Sequence, residues 1–194
     1  RGVPPEGVRE RMSRLLTSFT SESRRVRVDQ LVSRTAIRTD VHGEVEFEKN
    51  PDKLEVPASL TKMLTAYLTR QTIGDDQLNE RVTLTSEDHL KGSEPGLRVG
   101  DELTYLDLLY LAMLPSHNVA SEILASRVGP KLVGTGRGYG RFLAEMNATI
   151  RKWGWQGAVF TNASGLGMSN RATARQMSEL LWRIANEDAT LLKI

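Results

Sequence analysis

Pro57-Ala58-Ser59-Leu60-Thr61-Lys62-Met63-Leu64-Thr65-Ala66-Tyr67-Leu68 holds the chain's densest chemistry, and its reading decides the fold. Lys62 is the only charge between Glu55 and Arg70. On a helix, Leu60, Met63, Leu64, Tyr67 and Leu68 share one broad apolar face, with Thr61, Thr65 and Thr69 opposite. A helix so poor in charge is an interior one. Ser59 and Lys62 stand three residues apart and therefore lie one above the other on a single face. A lysine can act as base to a serine nucleophile only if its free pKa of about 10.4 is drawn towards neutrality. Burial and a helix N-terminus both disfavour the ammonium, and this segment would supply both. The plainer reading is a lysine that snorkels to solvent with its stem in the core. Ser-x-x-Lys alone does not decide between them, since about one chance match is expected in a chain of this length.

Outward from that segment, the composition is that of an ordinary globular domain. In 194 residues, 39% are hydrophobic and 26% charged, enough for one core and short for two. Lysine and arginine number 26 against 24 acidic residues, a balance too even to indicate a nucleic-acid partner. Cysteine is absent, which excludes disulfides, thiol catalysis and thiolate metal sites. His42, His89 and His117 have no metal-ligand spacing, so no metal is expected. No apolar run reaches the length of a membrane span, and Arg1 without a preceding methionine is expected of a processed or cloned start.

In chain order, Val8, Met12, Leu15, Leu16 and Phe19 recur at helical spacing. Residues 26–40 and Glu44–Glu48 read as two antiparallel strands joined by a turn at Asp40-Val41-His42-Gly43. Pro57 fits the first turn of the next helix. Arg81–Leu84 reads as a short strand, Lys91–Gly100 as loop and Leu103–Leu114 as one buried helix. Helices are expected over Val119–Val128, Phe142–Trp153 and Thr173–Ile184, the last with Met177, Leu180, Leu181 and Ile184 on one face. The alternating Gly134, Gly136, Gly138 and Gly140 mark a connection rather than a phosphate cradle. Trp153, Trp155 and Trp182 are read as core or edge packing.

Between two apolar helices, Ser116-His117-Asn118 places three polar side chains where rigid elements can aim them at a cleft. Taken alone it reads better as a capping sequence, with Asn118 as cap of the following helix. Ser-x-x-Lys followed some fifty residues later by Ser-x-Asn, however, is the order found in penicillin-recognising serine enzymes. The chain most resembles the serine D-alanyl-D-alanine carboxypeptidases, the low-molecular-mass penicillin-binding proteins. Pro57-Ala58-Ser59-Leu60-Thr61-Lys62 resembles their nucleophile motif, and Leu97–Leu109 their approach to the second. Met146-Asn147, Phe160-Thr161-Asn162 and Gly165-Leu166 resemble later landmarks. The similarity runs from about Val32 to Ala185.

That resemblance implies an α+β fold like that of penicillin-binding proteins and β-lactamases, a helical lobe on a small antiparallel sheet. It implies a penicillin-sensitive D,D-peptidase with peptidoglycan stem peptides ending in D-Ala-D-Ala as substrate and β-lactams as covalent inhibitors, exported to the periplasm or cell wall. It implies no cofactor; Ser59 would be the nucleophile and Lys62 its base. Ser116 would relay a proton, Asn118 would hold Lys62 and the substrate amide, and His117 would line the substrate wall. The sequence departs from the family in two places. Val119 stands where an acidic residue is usual, and His117 where a small one is common. The family's Lys-Thr-Gly strand is not found: Lys91-Gly92-Ser93 has the wrong order, and Val133-Gly134-Thr135-Gly136 lacks the lysine. Since that strand carries one of two oxyanion donors, and losing one costs about a hundredfold or more, a chain truly ending at Ile194 is expected to have little activity. Residues 1–194 are thus expected to form a single, interrupted catalytic domain of a longer gene product, its last strands absent. A non-catalytic peptidoglycan-binding or regulatory module on the same fold is the alternative. A β-lactamase fits less well, because no Glu-x-x-Leu-Asn segment lies between Val119 and Phe160.

Overall fold

The computed structural model describes residues 31–86, 88, 96–133 and 138–194. The helix expected over Val8–Phe19, strand residues 26–30, His89, Lys91-Gly92-Ser93, Gly134 and Gly136 lie outside the described residues. The chain divides at Arg34/Thr35, and the fold below is that of the unit Thr35–Ile194.

That unit opens on a hairpin. Strands β1 (Ala36–Thr39) and β2 (Val45–Lys49) pair antiparallel with Ile37 opposite Glu48 and Arg38 opposite Phe47, and the register shifts after Arg38. The turn is held by the Asp40 carboxylate, which accepts from the backbone N–H of His42 (2.8 Å) and of Glu44 (2.9 Å).

Helix α1 (Thr61–Thr72) then runs through the middle of the helical lobe and packs against all four later helices: α2 (Tyr105–Met113), α3 (Asn118–Val128), α4 (Gly138–Lys152) and α5 (Ala174–Glu187). Because it is enclosed on every side, the expected division into an apolar inner face and a threonine outer face does not hold. Thr61, Thr65 and Thr69 are fully buried, whereas Leu60, just before the helix, is 51% exposed. Two of the three hydroxyls find partners, Thr61 Oγ1 accepting from Asn170 and Thr65 Oγ1 donating to the Ala163 carbonyl. Thr69 Oγ1 has none among the described residues. A buried hydroxyl without a partner is destabilising, so Thr69→Val is expected to stabilise the fold by about 1 kcal/mol. In a domain of this size that raises the thermal midpoint by about 2–4 °C in calorimetry. An unchanged or lowered midpoint would contradict the assignment.

The apolar run Leu103–Leu114 is not one helix. Glu102–Thr104 forms strand β4, antiparallel to β3 (Arg81–Thr83) with Val82 opposite Leu103, and α2 starts only at Tyr105. The divider is a capping box. Thr104 Oγ1 accepts from Asp107 N–H (3.0 Å), and the Asp107 carboxylate accepts from Thr104 N–H (2.9 Å). The Thr104 hydroxyl, which donates to the same carboxylate at 2.7 Å, and then the Thr104 N–H hold the Asp107 carboxyl below its ordinary range. Helix α5 starts on the same device at Thr173 and Gln176, with Met177, Leu180 and Ile184 inside but Leu181 56% exposed. Of the tryptophans, Trp155 is buried, and Trp182 lies 39% exposed against Gly43 of the hairpin turn. Leu108, Leu109, Ile123, Leu124, Phe142, Met146 and Ile150 fill the core between the helices.

Asp88 is buried at 4% exposure and receives both Arg127 Nε (2.9 Å) and Arg127 Nη2. Burial alone would raise this carboxyl, but the bonds from Arg127 and Thr85 outweigh it and hold it below the ordinary carboxylate range. A depressed carboxylate contributes stability that is present above its unfolded pKa and is lost as pH falls through the folded one. Arg127→Ala is expected to cost about 3 kcal/mol at neutral pH. The gap from wild type should narrow as the solution is acidified towards pH 3, which thermal melts across pH will show.

Candidate active site

A short 3-10 turn, Ala58–Leu60, delivers the chain into α1. Pro57 precedes it at φ −71°, the value its ring imposes, so the proline stands just ahead of the turn rather than inside the helix. Ala58 follows at φ +47°, a left-handed conformation that an alanine adopts only when its surroundings hold it there. The strained turn presents Ser59 at the surface, while Lys62, the second residue of α1, points inward with 2% exposure. The lysine does not snorkel to solvent.

Three oxygens surround its amine. Lys62 Nζ lies 3.1 Å from Ser59 Oγ, 2.7 Å from Asn118 Oδ1 and 2.8 Å from the Ser164 carbonyl oxygen. None of the three is a carboxylate. An ammonium could donate to all three of these oxygens, whereas a neutral amine has two N–H bonds for the carbonyl acceptors and a lone pair for the hydroxyl. Only in the neutral state could Nζ donate to Asn118 and Ser164 and accept the Ser59 proton.

Asn118 reaches Lys62 because the helix cap falls one residue earlier than expected. His117 is the N-cap of α3, its Nδ1 accepting from Ala120 N–H at 3.2 Å, and Asn118 is the first helical residue, its Oδ1 accepting from Lys62 of α1. His117, expected on the substrate wall, thus has one ring nitrogen committed to the helix. Ser116 sits at φ +60° in the turn before it. Of the three non-glycine residues with positive φ among the described ones, Ala58 and Ser116 flank this cleft. The structure therefore joins Ser59, Lys62 and Asn118 directly, with Ser116 and His117 on the adjoining turn.

The Ser164 carbonyl was not foreseen. It belongs to the loop 160–170, which is fastened on several sides. Asn147 of α4 clamps its start, donating to the Phe160 carbonyl (2.7 Å) and accepting from Phe160 N–H (3.0 Å). The Tyr139 hydroxyl accepts from Ala163 N–H at 3.1 Å, and burial, then a hydrogen bond to Glu122, raises its pKa so that the phenol stays neutral. Gly165, at φ +80°, lies so close to the strained turn that a Cβ there would stand 1.8 Å from the Ala58 carbonyl oxygen. The sequence signals for this loop were Asn147, Phe160-Thr161-Asn162 and Gly165, whose partners are far apart in the chain. Beside the site a groove of about 440 Å³ runs along β1, lined in part by Ile37, Pro57, Leu60, Met63 and Met177.

The family model described as D-alanyl-D-alanine carboxypeptidase matches residues 21–194. A D-alanyl-D-alanine endopeptidase of Pseudomonas aeruginosa is 32% identical over 155 residues, which cover 78% of this chain and 47% of that protein. The D-alanyl-D-alanine carboxypeptidase DacC of Escherichia coli is 31% identical over 175 residues, covering 84% and 42%. Among solved structures, the D-alanyl-D-alanine carboxypeptidase DacD of Francisella tularensis superposes with TM-score 0.72 at 25% identity, over 83% of this chain and 39% of that one. Penicillin-binding protein 5 of Haemophilus influenzae superposes with TM-score 0.74 at 23% identity, over 87% and 49%. The chain spans about half the length of the curated relatives it matches. The expected penicillin-binding fold, helix-rich with small antiparallel sheets, is the one observed.

Proposed function

The chain belongs to the D-alanyl-D-alanine carboxypeptidase family, and from that premise we propose that it carries the nucleophile side of a serine D,D-peptidase site. Its substrates would be peptidoglycan stem peptides ending in D-Ala-D-Ala, and β-lactams its covalent inhibitors. The observation that supports this most is the Lys62 amine shared between Ser59 Oγ, Asn118 Oδ1 and the Ser164 carbonyl. Ser59 Oγ attacks the penultimate carbonyl carbon while Lys62 takes its proton. Ser116 relays that proton to the nitrogen of the departing D-alanine as the peptide bond breaks. Asn118 keeps Lys62 in place and holds the substrate amide. Water then attacks the ester, takes up the acyl group as a carboxylic acid and returns Ser59 to its hydroxyl form. The residues of the unit Thr35–Ile194 belong to one catalytic domain in this reading, acting where peptidoglycan lies, outside the cytoplasmic membrane. No described helix is long and apolar enough to cross a membrane.

The reaction is tested by incubating the chain, and the reading frame that contains it, with a pentapeptide stem and with a cross-linked muropeptide dimer. Release of free D-alanine from the pentapeptide, dependent on Ser59, is the expected result. Cleavage of the cross-link alone would make the protein an endopeptidase, like the Pseudomonas aeruginosa relative by name. Intact peptides with folded protein of either length would favour a non-catalytic module.

A further inference from the structure

The loop 160–170 delivers two carbonyls into the buried flank of α1, Ala163 O to Thr65 Oγ1 at 2.7 Å and Ser164 O to Lys62 Nζ at 2.8 Å. A loop holds an oxygen at such a place only if its own backbone is tied down. The tie is Asn170, 1% exposed. Its amide nitrogen donates to Thr61 Oγ1 (3.0 Å) and to the Asn162 carbonyl (3.2 Å). Its amide oxygen accepts from the Thr161 N–H (2.8 Å) and hydroxyl (3.1 Å). One side chain thus fastens both ends of the loop to the residue that precedes Lys62. Asn162 braces the middle, accepting from Gly165 N–H at 2.7 Å and donating to the Leu166 carbonyl at 3.1 Å. Only a planar amide offers donors and an acceptor in this arrangement; an alanine offers neither.

We propose that Asn170 is a positioning residue for Lys62, fixing the Ser164 carbonyl that takes one of the two N–H bonds of the neutral amine and so keeps the lone pair aimed at Ser59. The inference rests on the acyl-transfer reading of the site. A reacting group displaced by about 1 Å loses about a hundredfold in rate. Asn170→Ala is therefore expected to lower the β-lactam acylation rate constant about a hundredfold per folded molecule. The dissociation constant of the preceding non-covalent complex, taken from saturation of the same rates, should change little. Thr61→Val removes the partner of Asn170 without adding charge, and is expected to act in the same direction if Asn170→Ala does not fold.

An independent readout is the ¹³Cε resonance of Lys62 in protein labelled at lysine, assigned by its loss in Lys62→Ala. In either variant it should move towards the position of solvent-exposed lysines while the other lysine signals stay in place. A variant with a lowered melting temperature but an unchanged Lys62 signal would overturn the proposal and leave Asn170 a structural tie. So would an unchanged acylation rate per folded molecule. Should the unmodified protein take up no β-lactam at all, the acyl-transfer reading fails by itself. The Lys62 resonance then still decides whether Asn170 positions the amine.

Discussion

Lys62→Ala is expected to slow β-lactam acylation of Ser59 about 10²- to 10⁴-fold at neutral pH, the range that removing a positioned general base costs. The substitution withdraws the only amine within hydrogen-bond reach of Ser59 Oγ among the described residues, leaving a hydroxyl that is a weak nucleophile at its own pKa. It also leaves Asn118 Oδ1 and the Ser164 carbonyl without the donor they share. Lys62→Arg is expected to fail as well, because a guanidinium stays protonated and cannot accept the serine proton. That pair separates a base from a merely structural cation, which arginine would replace in part. The pH dependence has a definite sign. If Lys62 is the base, the reacting form carries a neutral amine, and the acylation rate should climb as pH rises through the lysine's pKa in the protein. Stopped-flow labelling with a fluorescent penicillin across pH measures it. A rate that Lys62→Ala leaves within a few-fold of wild type would remove the lysine from the mechanism.

The second large effect belongs to a residue without a side chain. Gly165→Ala would place a methyl group 1.8 Å from the Ala58 carbonyl oxygen and 2.5 Å from its carbon, both backbone atoms that cannot swing aside. Its φ of +80° adds about 1–2 kcal/mol for a side chain in left-handed geometry. The clash falls on the turn that presents Ser59, so the loop and the turn must separate. We expect a loss of about 3 kcal/mol or more, seen as a thermal midpoint lower by about 6–12 °C, together with a collapse of acylation. Gly167, also at positive φ but with open space around it, is the control: Gly167→Ala carries the backbone strain without the clash. Equal behaviour of the two variants would show that the contact with Ala58 is unimportant.

How far the sequence could be read depended on the range of the interactions involved. Ser59 and Lys62 stand three residues apart across the junction of the 3-10 turn and α1, and their spacing alone put them side by side. The hairpin, α3, α4 and α5 were legible from periodicity and turn residues close at hand, although residues 31–35 of the expected first strand are not strand and Gly138 and Gly140, expected as connection, open α4. Leu103 was misplaced because β4 and α2 are joined without any break in apolar character, and only the Thr104–Asp107 capping box divides them. The threonine face of α1 was misjudged because burial on all sides is a property of its four neighbours rather than of the helix. Asn118 was weighed as a cap, yet a histidine holds that place and leaves the asparagine for Lys62. The Asn170 tie to Thr61 spans 109 residues, and nothing local distinguishes such an asparagine from one in an ordinary turn.

The central claim is that Ser59, served by Lys62, forms a covalent acyl-enzyme. It is tested most directly by locating the adduct after incubation with a penicillin. Trypsin cuts after Lys53 and Lys62 and so releases Leu54–Lys62, in which Ser59 is the only serine. This peptide is predicted to gain the full mass of the penicillin, and Ser59→Ala to abolish the gain. An adduct on any other peptide, or none in either the chain or the reading frame that contains it, would contradict the claim.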